Sequence, residues 1–254
     1  EDNTGWPDKY LLDYDLYIRL YDFYDSIGIH STDGFGCPIL ILTDWIEDTA
    51  PYDPVYNAAF LGYINGWSLF AASSIGNFEE CMDVIGHEFT HAVTQYLMAG
   101  SYYMNEPGAI NEAISDVAGN LIEMMLGETE DDQWLIAENS GYTLRNMSFP
   151  WEYSQPATVG GWFYMPHAES STSTNDNGGV HTNSSLVNSV AWKLHAAGMD
   201  PLEELYLFLD TAKLLTPLSD FRQFHQALLC AADMRGEEIE WQMRIDLYCE
   251  EAGY

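Results

Sequence analysis

Two imidazoles and a carboxylate stand close together in Asp83-Val-Ile-Gly-His87-Glu88-Phe-Thr-His91-Ala-Val-Thr94, a run whose other residues are mostly apolar at helical spacing. Residues four apart on a helix share a face, offset by about 40°. His87 and His91 can therefore aim at one point. That geometry suits two of the three protein ligands of a catalytic zinc, with Glu88 beside them as a general base. So short a pattern also fits an ordinary helix, and its neighbours have to decide.

A catalytic zinc needs a third protein ligand and an open position for water. Downstream lies Gly108-Ala-Ile-Asn111-Glu112-Ala-Ile-Ser-Asp116. Glu112 on a second helix can be the third ligand. Asp116, one turn later on the same face, can accept the spare N–H of a zinc-bound histidine, and Asn111 can serve the other. An exposed acidic helix face would set acids among other charges. Here they interrupt Ala109, Ile110, Ala113, Ile114, Val117 and Ala118, which favours a site.

Eight Lys+Arg against 40 Asp+Glu leave a formal charge of −32. Phosphate binding needs Lys and Arg, so nucleic acid is excluded as a partner. Anionic membrane surfaces would repel the chain, and no apolar run reaches the length of a membrane span. Such a charge keeps a protein soluble and steers cationic peptides or metal ions toward it. The cysteines Cys37, Cys81, Cys230 and Cys249 lack Cys-x-x-Cys spacing. Cys230 could pair with Cys249 across a turn at Arg235-Gly236, and Cys37 with Cys81; free buried thiols are the alternative. Glu1-Asp-Asn-Thr-Gly5 has neither a basic nor an apolar region, so it is not a signal peptide, although a removed signal or pro-segment could precede it.

In chain order, the spacing predicts an amphipathic helix over 8–27 ending near Gly28. Strands are predicted at 38–45 and 55–63, antiparallel to each other. Helices follow at 80–98 and 108–126, then a loop-rich stretch over 127–178. Further helices are expected at 180–197, 201–213, 218–234 and 237–251, with Pro201 just inside its helix and Ser219 as a cap. The order implies an α+β fold of two lobes. Residues 1–98 form a reduced mixed α/β lobe ending in the His87–His91 helix, and 99–254 a mainly helical lobe.

At this level of detail the chain resembles the thermolysin-like neutral zinc metallopeptidases. The shared text is His87-Glu-Phe-Thr-His-Ala-Val-Thr-Gln-Tyr96, Asn105-Glu-Pro-Gly-Ala-Ile-Asn-Glu-Ala-Ile-Ser-Asp116, Asp176-Asn-Gly-Gly-Val-His-Thr-Asn-Ser184 and Leu215-Thr-Pro-Leu-Ser-Asp-Phe221. The resemblance implies His87, His91 and Glu112 as zinc ligands and Glu88 as the base that deprotonates the attacking water. It implies Tyr103 and His181 as the pair that stabilises the oxyanion, with Asp176 orienting His181. Arg145 would hold a substrate carbonyl. Leu144, Val84 and Phe78 would line an apolar pocket after the scissile bond, and the backbone of Ala59 would pair with an extended peptide. Calcium is implied as a second metal, one or two ions, with Asp83, Glu123, Glu138 and Asp131 as ligands.

The chain also departs from the family pattern. Only 86 residues precede His87, so the N-terminal lobe should be small. The spacer between His91 and Glu112 is one residue longer than the pattern. Ala58 replaces a substrate-holding asparagine, with Asn57 adjacent. Gln133 stands where an acidic calcium ligand is expected, and the loop from Glu138 to Arg145 is short, which removes a further calcium site. The expected activity is secreted, monomeric endopeptidase action on peptides or proteins, with a bulky apolar residue after the cut and a possible pro-segment inhibitor. Two readings stay open beside it: a zinc aminopeptidase, and a non-catalytic peptide-binding module on the same scaffold.

Overall fold

The computed structural model describes residues 5, 7–43, 58–72, 77–78, 81–100, 102–127 and 134–254. Helix α1 (Asp8–Ser26) buries Leu16, Tyr17, Leu20 and Tyr24, one stripe of its surface. It ends at Gly28, whose φ of 87° is a left-handed conformation that glycine adopts without steric cost. Three strands follow: β1 (Ile39–Leu42), β2 (Ala58–Ile64) and β3 (Trp67–Ala72).

The sheet order is β1-β3-β2, with β1 parallel and β2 antiparallel to β3. This corrects the expected pairing of the first two strands. Asn65-Gly66 turns β2 directly into β3, both residues having positive φ (54° and 82°). Asn-Gly is the two-residue turn whose twist matches the flanking strands, so the local hairpin forms and β3 takes the central place. Of the strand expected at 55–63, residues 55–57 lie outside the described residues. The outcome leaves β2 on the sheet edge. Phe70 stacks on Phe89, which stacks on Tyr24, with centroids 5.8 and 5.0 Å apart, tying the sheet and α1 to the next helix.

That helix, α2 (Met82–Leu97), lies against α3 (Asn105–Leu126), which begins one turn earlier than its pattern indicated. Both are buried over most of their length. Glycines allow their close approach: a Cβ built on Gly119 would sit 2.3 Å from the Asp83 carbonyl oxygen and 3.0 Å from the His87 nitrogen. On the α2 side, a Cβ on Gly86 would lie 3.1 Å from the Gly119 Cα.

The loop-rich stretch holds a two-stranded ribbon, β4 (Leu135–Ile136) with β5 (Arg145–Asn146), and short 3-10 turns. The helix expected at 180–197 is two, α4 (Asp176–Asn183) and α5 (Ser185–Ala196). Asp176, Asn177, Gly178 and Gly179 all have positive φ (49°, 50°, 82° and 87°), making one left-handed turn ahead of Val180 and His181. Helices α6 (Pro201–Leu214), α7 (Phe221–Arg235) and α8 (Ile239–Ala252) complete the helical lobe. Asp220, not Ser219, caps α7: its carboxylate accepts the Gln223 N–H while the Gln223 side chain returns to the Asp220 N–H. Neither Cys230 with Cys249 nor Cys37 with Cys81 is joined by a disulfide. Cys230 is exposed while Cys249 is buried. The architecture is thus α+β, a small mixed sheet beside a large helical lobe.

Candidate active site

Three side chains converge where α2 meets α3. Ligand atoms of His87, His91 and Glu112 all lie within 4.8 Å of one another. His91 Nε2 is 3.1 Å from Glu112 Oε1, and His87 Nε2 is 3.5 Å from Glu112 Oε2. The opposite ring nitrogens are already engaged. Asp116 Oδ1 lies 2.8 Å from His87 Nδ1, and Asn111 Oδ1 lies 2.6 Å from His91 Nδ1. Each imidazole therefore turns Nε2 to the common point. Glu112 Oε2 is buried with no hydrogen-bond partner. Two nitrogens and a carboxylate oxygen, with the far ring nitrogens held by a carboxylate and an amide, form the donor set of a catalytic zinc. The residues fit the group.

The electrostatics agree. Burial pushes Glu112 up, but His181, His91 and His87 together hold it well below the usual carboxylate range. Burial would lower His91; the Glu112 carboxylate overrides that and lifts it to about 9. Glu112 therefore stays anionic and draws positive charge, on imidazoles or on a cation.

Asp116 is a hub. Besides His87 it accepts Arg145, from Nη2 at 2.7 Å and Nε at 3.2 Å, and its other oxygen accepts the Asn188 amide at 2.8 Å. Arg145 is thereby fixed on the cleft wall, with Nη2 3.9 Å from Glu112. Across the centre, His181 Nε2 lies 3.1 Å from the Tyr103 hydroxyl, which also donates to Glu112. The longer spacer before Glu112 has not displaced Tyr103. Asp176 Oδ1 sits 2.6 Å from His181 Nδ1, and its Oδ2 accepts the Thr182 N–H and hydroxyl at 2.8 and 2.9 Å. The left-handed turn makes this possible, because it folds Asp176 back over a residue five further on.

The cleft over these groups holds about 590 Å³. Phe78, Val84, Ile136 and Leu144 make part of its wall apolar, and Ala58, Ala59 and Phe60 of edge strand β2 also line it. Glu88 Oε2 accepts the Phe60 N–H at 2.7 Å, so the carboxylate is anchored to that strand.

Behind α2 a second group forms. Carboxylate oxygens of Asp83, Glu123 and Glu138 lie within 4.8 Å of one another. Burial raises Asp83 to about 7, helped by Glu138, and raises Glu123 to about 8, helped by Asp83. Buried oxygens of Glu123 and Glu138 have no partner. Three acids so placed repel one another when ionised, and a cation among them would relieve that repulsion. Asp131, the fourth expected ligand, lies outside the described residues, as does Asn57.

Sequence reasoning missed four supporting residues. Ser115 Oγ lies 3.1 Å from His91 Nδ1 and is four residues after Asn111, a same-face signal that was readable. Asn188, Gln155 (whose amide holds the His181 carbonyl at 2.7 Å) and Thr182 come from polar contacts that leave no periodic trace.

A helix pair with this donor set, a carboxylate beside it and a histidine–tyrosine pair opposite forms a candidate metal centre. The chain matches the family model described as thermolysin metallopeptidase, alpha-helical domain, over residues 99–245, and it belongs to that family. It is 35% identical to the thermolysin of Alicyclobacillus acidocaldarius subsp. acidocaldarius over 240 residues, covering 85% of this chain and 40% of that protein. It is 34% identical to an extracellular elastase of Staphylococcus epidermidis, covering 88% of this chain and 42% of that protein. The chain thus spans about two fifths of the length of these relatives. The precursor of protealysin, a metalloproteinase from Serratia proteamaculans, shares the fold. Its TM-score is 0.76 at 24% identity, over 98% of this chain and 80% of that one.

Proposed function

We propose that this chain is a zinc-dependent endopeptidase. The observation that carries the reading is the convergence of His87, His91 and Glu112 beneath a cleft that also presents Glu88, Tyr103, Arg145 and His181. A zinc ion held by the three ligands would polarise the peptide carbonyl and bring the pKa of a bound water to about 7. Glu88 would accept a proton from the attacking water, and the Phe60 N–H keeps its carboxylate aimed. His181 and Tyr103 donate to the carbonyl oxygen as negative charge develops there, and Arg145 adds a fixed positive charge. Burial lowers the His181 pKa, but Glu112 and the Asp176 carboxylate on Nδ1 raise it overall, favouring the imidazolium whose Nε2–H can donate. The substrate lies extended along β2 near Ala59, with a bulky apolar side chain after the cut entering the wall of Val84, Ile136 and Leu144.

Chelation by 1,10-phenanthroline should abolish cleavage of an internally quenched peptide blocked at both ends, and zinc should restore it. An aminopeptidase would cut only the unblocked peptide, and a binding module neither. Among the described residues the acids that line the cleft are Glu88 and Glu112, both given other roles here, which favours the endopeptidase.

Calcium is the second proposed ion, held by Asp83, Glu123 and Glu138 with Asp131 as a further ligand. Raised carboxyl pKa values favour the metal-free fold with these acids protonated. That stability is complete below about pH 4 and is lost as pH rises through about 7 to 8. The melting temperature of metal-free protein should therefore fall between pH 5 and 8. Millimolar calcium should raise it more at pH 8 than at pH 5, and an equal increment at both would refute the site. Secretion is proposed from the acidity, the calcium group and the extracellular relative; no described helix is long and apolar enough to cross a membrane. The monomeric state and inhibition by a pro-segment remain part of the same proposal.

A further inference from the structure

The loop that carries His181 rests on two amide clips. Asn105, at the start of α3, accepts the Ala168 N–H at 2.7 Å and donates to the Ala168 carbonyl at 3.2 Å. Asn183, two residues past His181, treats Met165 the same way, at 3.0 and 2.8 Å. A side-chain amide bonded to both main-chain groups of one residue imitates a strand partner and fixes position and direction together. Between the two clipped residues runs a short strap, 165–168, that belongs to no helix or strand.

The left-handed turn lies directly on these clips. A Cβ on Gly178 would be 2.0 Å from Asn105 Oδ1. One on Gly179 would be 2.7 Å from both Asn183 Nδ2 and Met165 Cβ. Asp176 and Asn177 hold a conformation that persists in non-glycine residues where surroundings impose it. The strap and its two asparagines are those surroundings.

We propose that Asn105 and Asn183 are positioning residues for His181. Through the strap they hold the left-handed turn, the turn holds Asp176 on Nδ1, and Nε2 is kept facing the cleft. The proposal rests on the endopeptidase reading, since it assigns the clips to that reaction.

The test is a set of double-mutant cycles on zinc-loaded protein, well below each variant's melting temperature. Asn105→Ala and Asn183→Ala are each made in the wild-type and in the His181→Ala background. Each single change should lower kcat about 10- to 100-fold, as for a misplaced catalytic group, with KM within about twofold. In the His181→Ala background neither change to Ala should cost more than about twofold. Undiminished kcat in the single variants would overturn the proposal, as would an equal loss without His181, or a His181→Ala variant as active as wild type. A wild-type chain that cleaves nothing would instead sink the endopeptidase reading. The clips are then tested by amide exchange at Thr182, whose N–H bonds Asp176. Exchange at least about tenfold faster in both Ala variants supports them, as expected when local opening becomes easier, and unchanged exchange overturns them.

Discussion

Glu88→Gln is expected to keep its metal and lose between about 10²- and 10⁴-fold in kcat/KM on a casein-derived peptide, the usual range for a general base. That corresponds to about 3–5 kcal/mol of transition-state stabilisation. Glutamine is the clean probe because of the strand contact. Its carbonyl oxygen can still accept the Phe60 N–H, so β2 keeps its place while the basic oxygen disappears. Glu88→Ala would in addition leave that N–H without a partner, at a cost of about 1–3 kcal/mol. Zinc content measured by mass spectrometry should match wild type, since the proposed ligands are His87, His91 and Glu112. Full activity in the zinc-loaded Gln variant would refute the assignment of the base.

The second large effect is expected at Gly119. Alanine in a helix interior ordinarily gains up to about 1 kcal/mol over glycine. Here the sign reverses, because the added carbon would lie 2.3 Å from the Asp83 carbonyl oxygen and 3.0 Å from the His87 nitrogen. Both are backbone atoms of α2 and cannot swing aside as a side chain can. The two helices must separate, for a net loss of about 3 kcal/mol or more, at the upper end for overpacked cores. Glu112 moves with α3, so zinc affinity should fall too. Urea denaturation and zinc titration of Gly119→Ala would check both, and a variant as stable as wild type would show that the helices are not in limiting contact. Gly127→Ala gives a contrast: nothing lies within 4 Å of a Cβ there, and only its φ of 72° is strained.

The helical half of the site was legible because its chemistry repeats with the helix. His87 and His91, Glu112 and Asp116, and Asn111 with Ser115 each fall four apart, so one-dimensional spacing encodes a shared face. The strands were less legible. Val55 to Tyr63 and Pro38 to Trp45 read as strands, but pairing depends on the Asn65-Gly66 turn, and that signal is only two residues long. Asn188, Gln155 and the clip residues Asn105 and Asn183 were out of reach as supports. Each acts on a residue far away or on the backbone of an irregular segment, and polar contacts of that kind impose no period on the sequence. Asp83, Glu123 and Glu138 do come together, but they were grouped from resemblance; their own spacing places them on separate elements.

Backbone contact between α2 and α3 at Gly119 also acts as an end-stop. Helices that already touch along their main chains can move apart but cannot be drawn closer. The spacing of His87 and His91 from Glu112 therefore has a floor set by carbon and oxygen radii, whatever ion is offered. A larger ion would be accommodated by opening outward, against the resistance of side-chain packing. A smaller one would not draw the helices inward past this contact. The aperture of the centre is thus written into two residues that have no side chain at all.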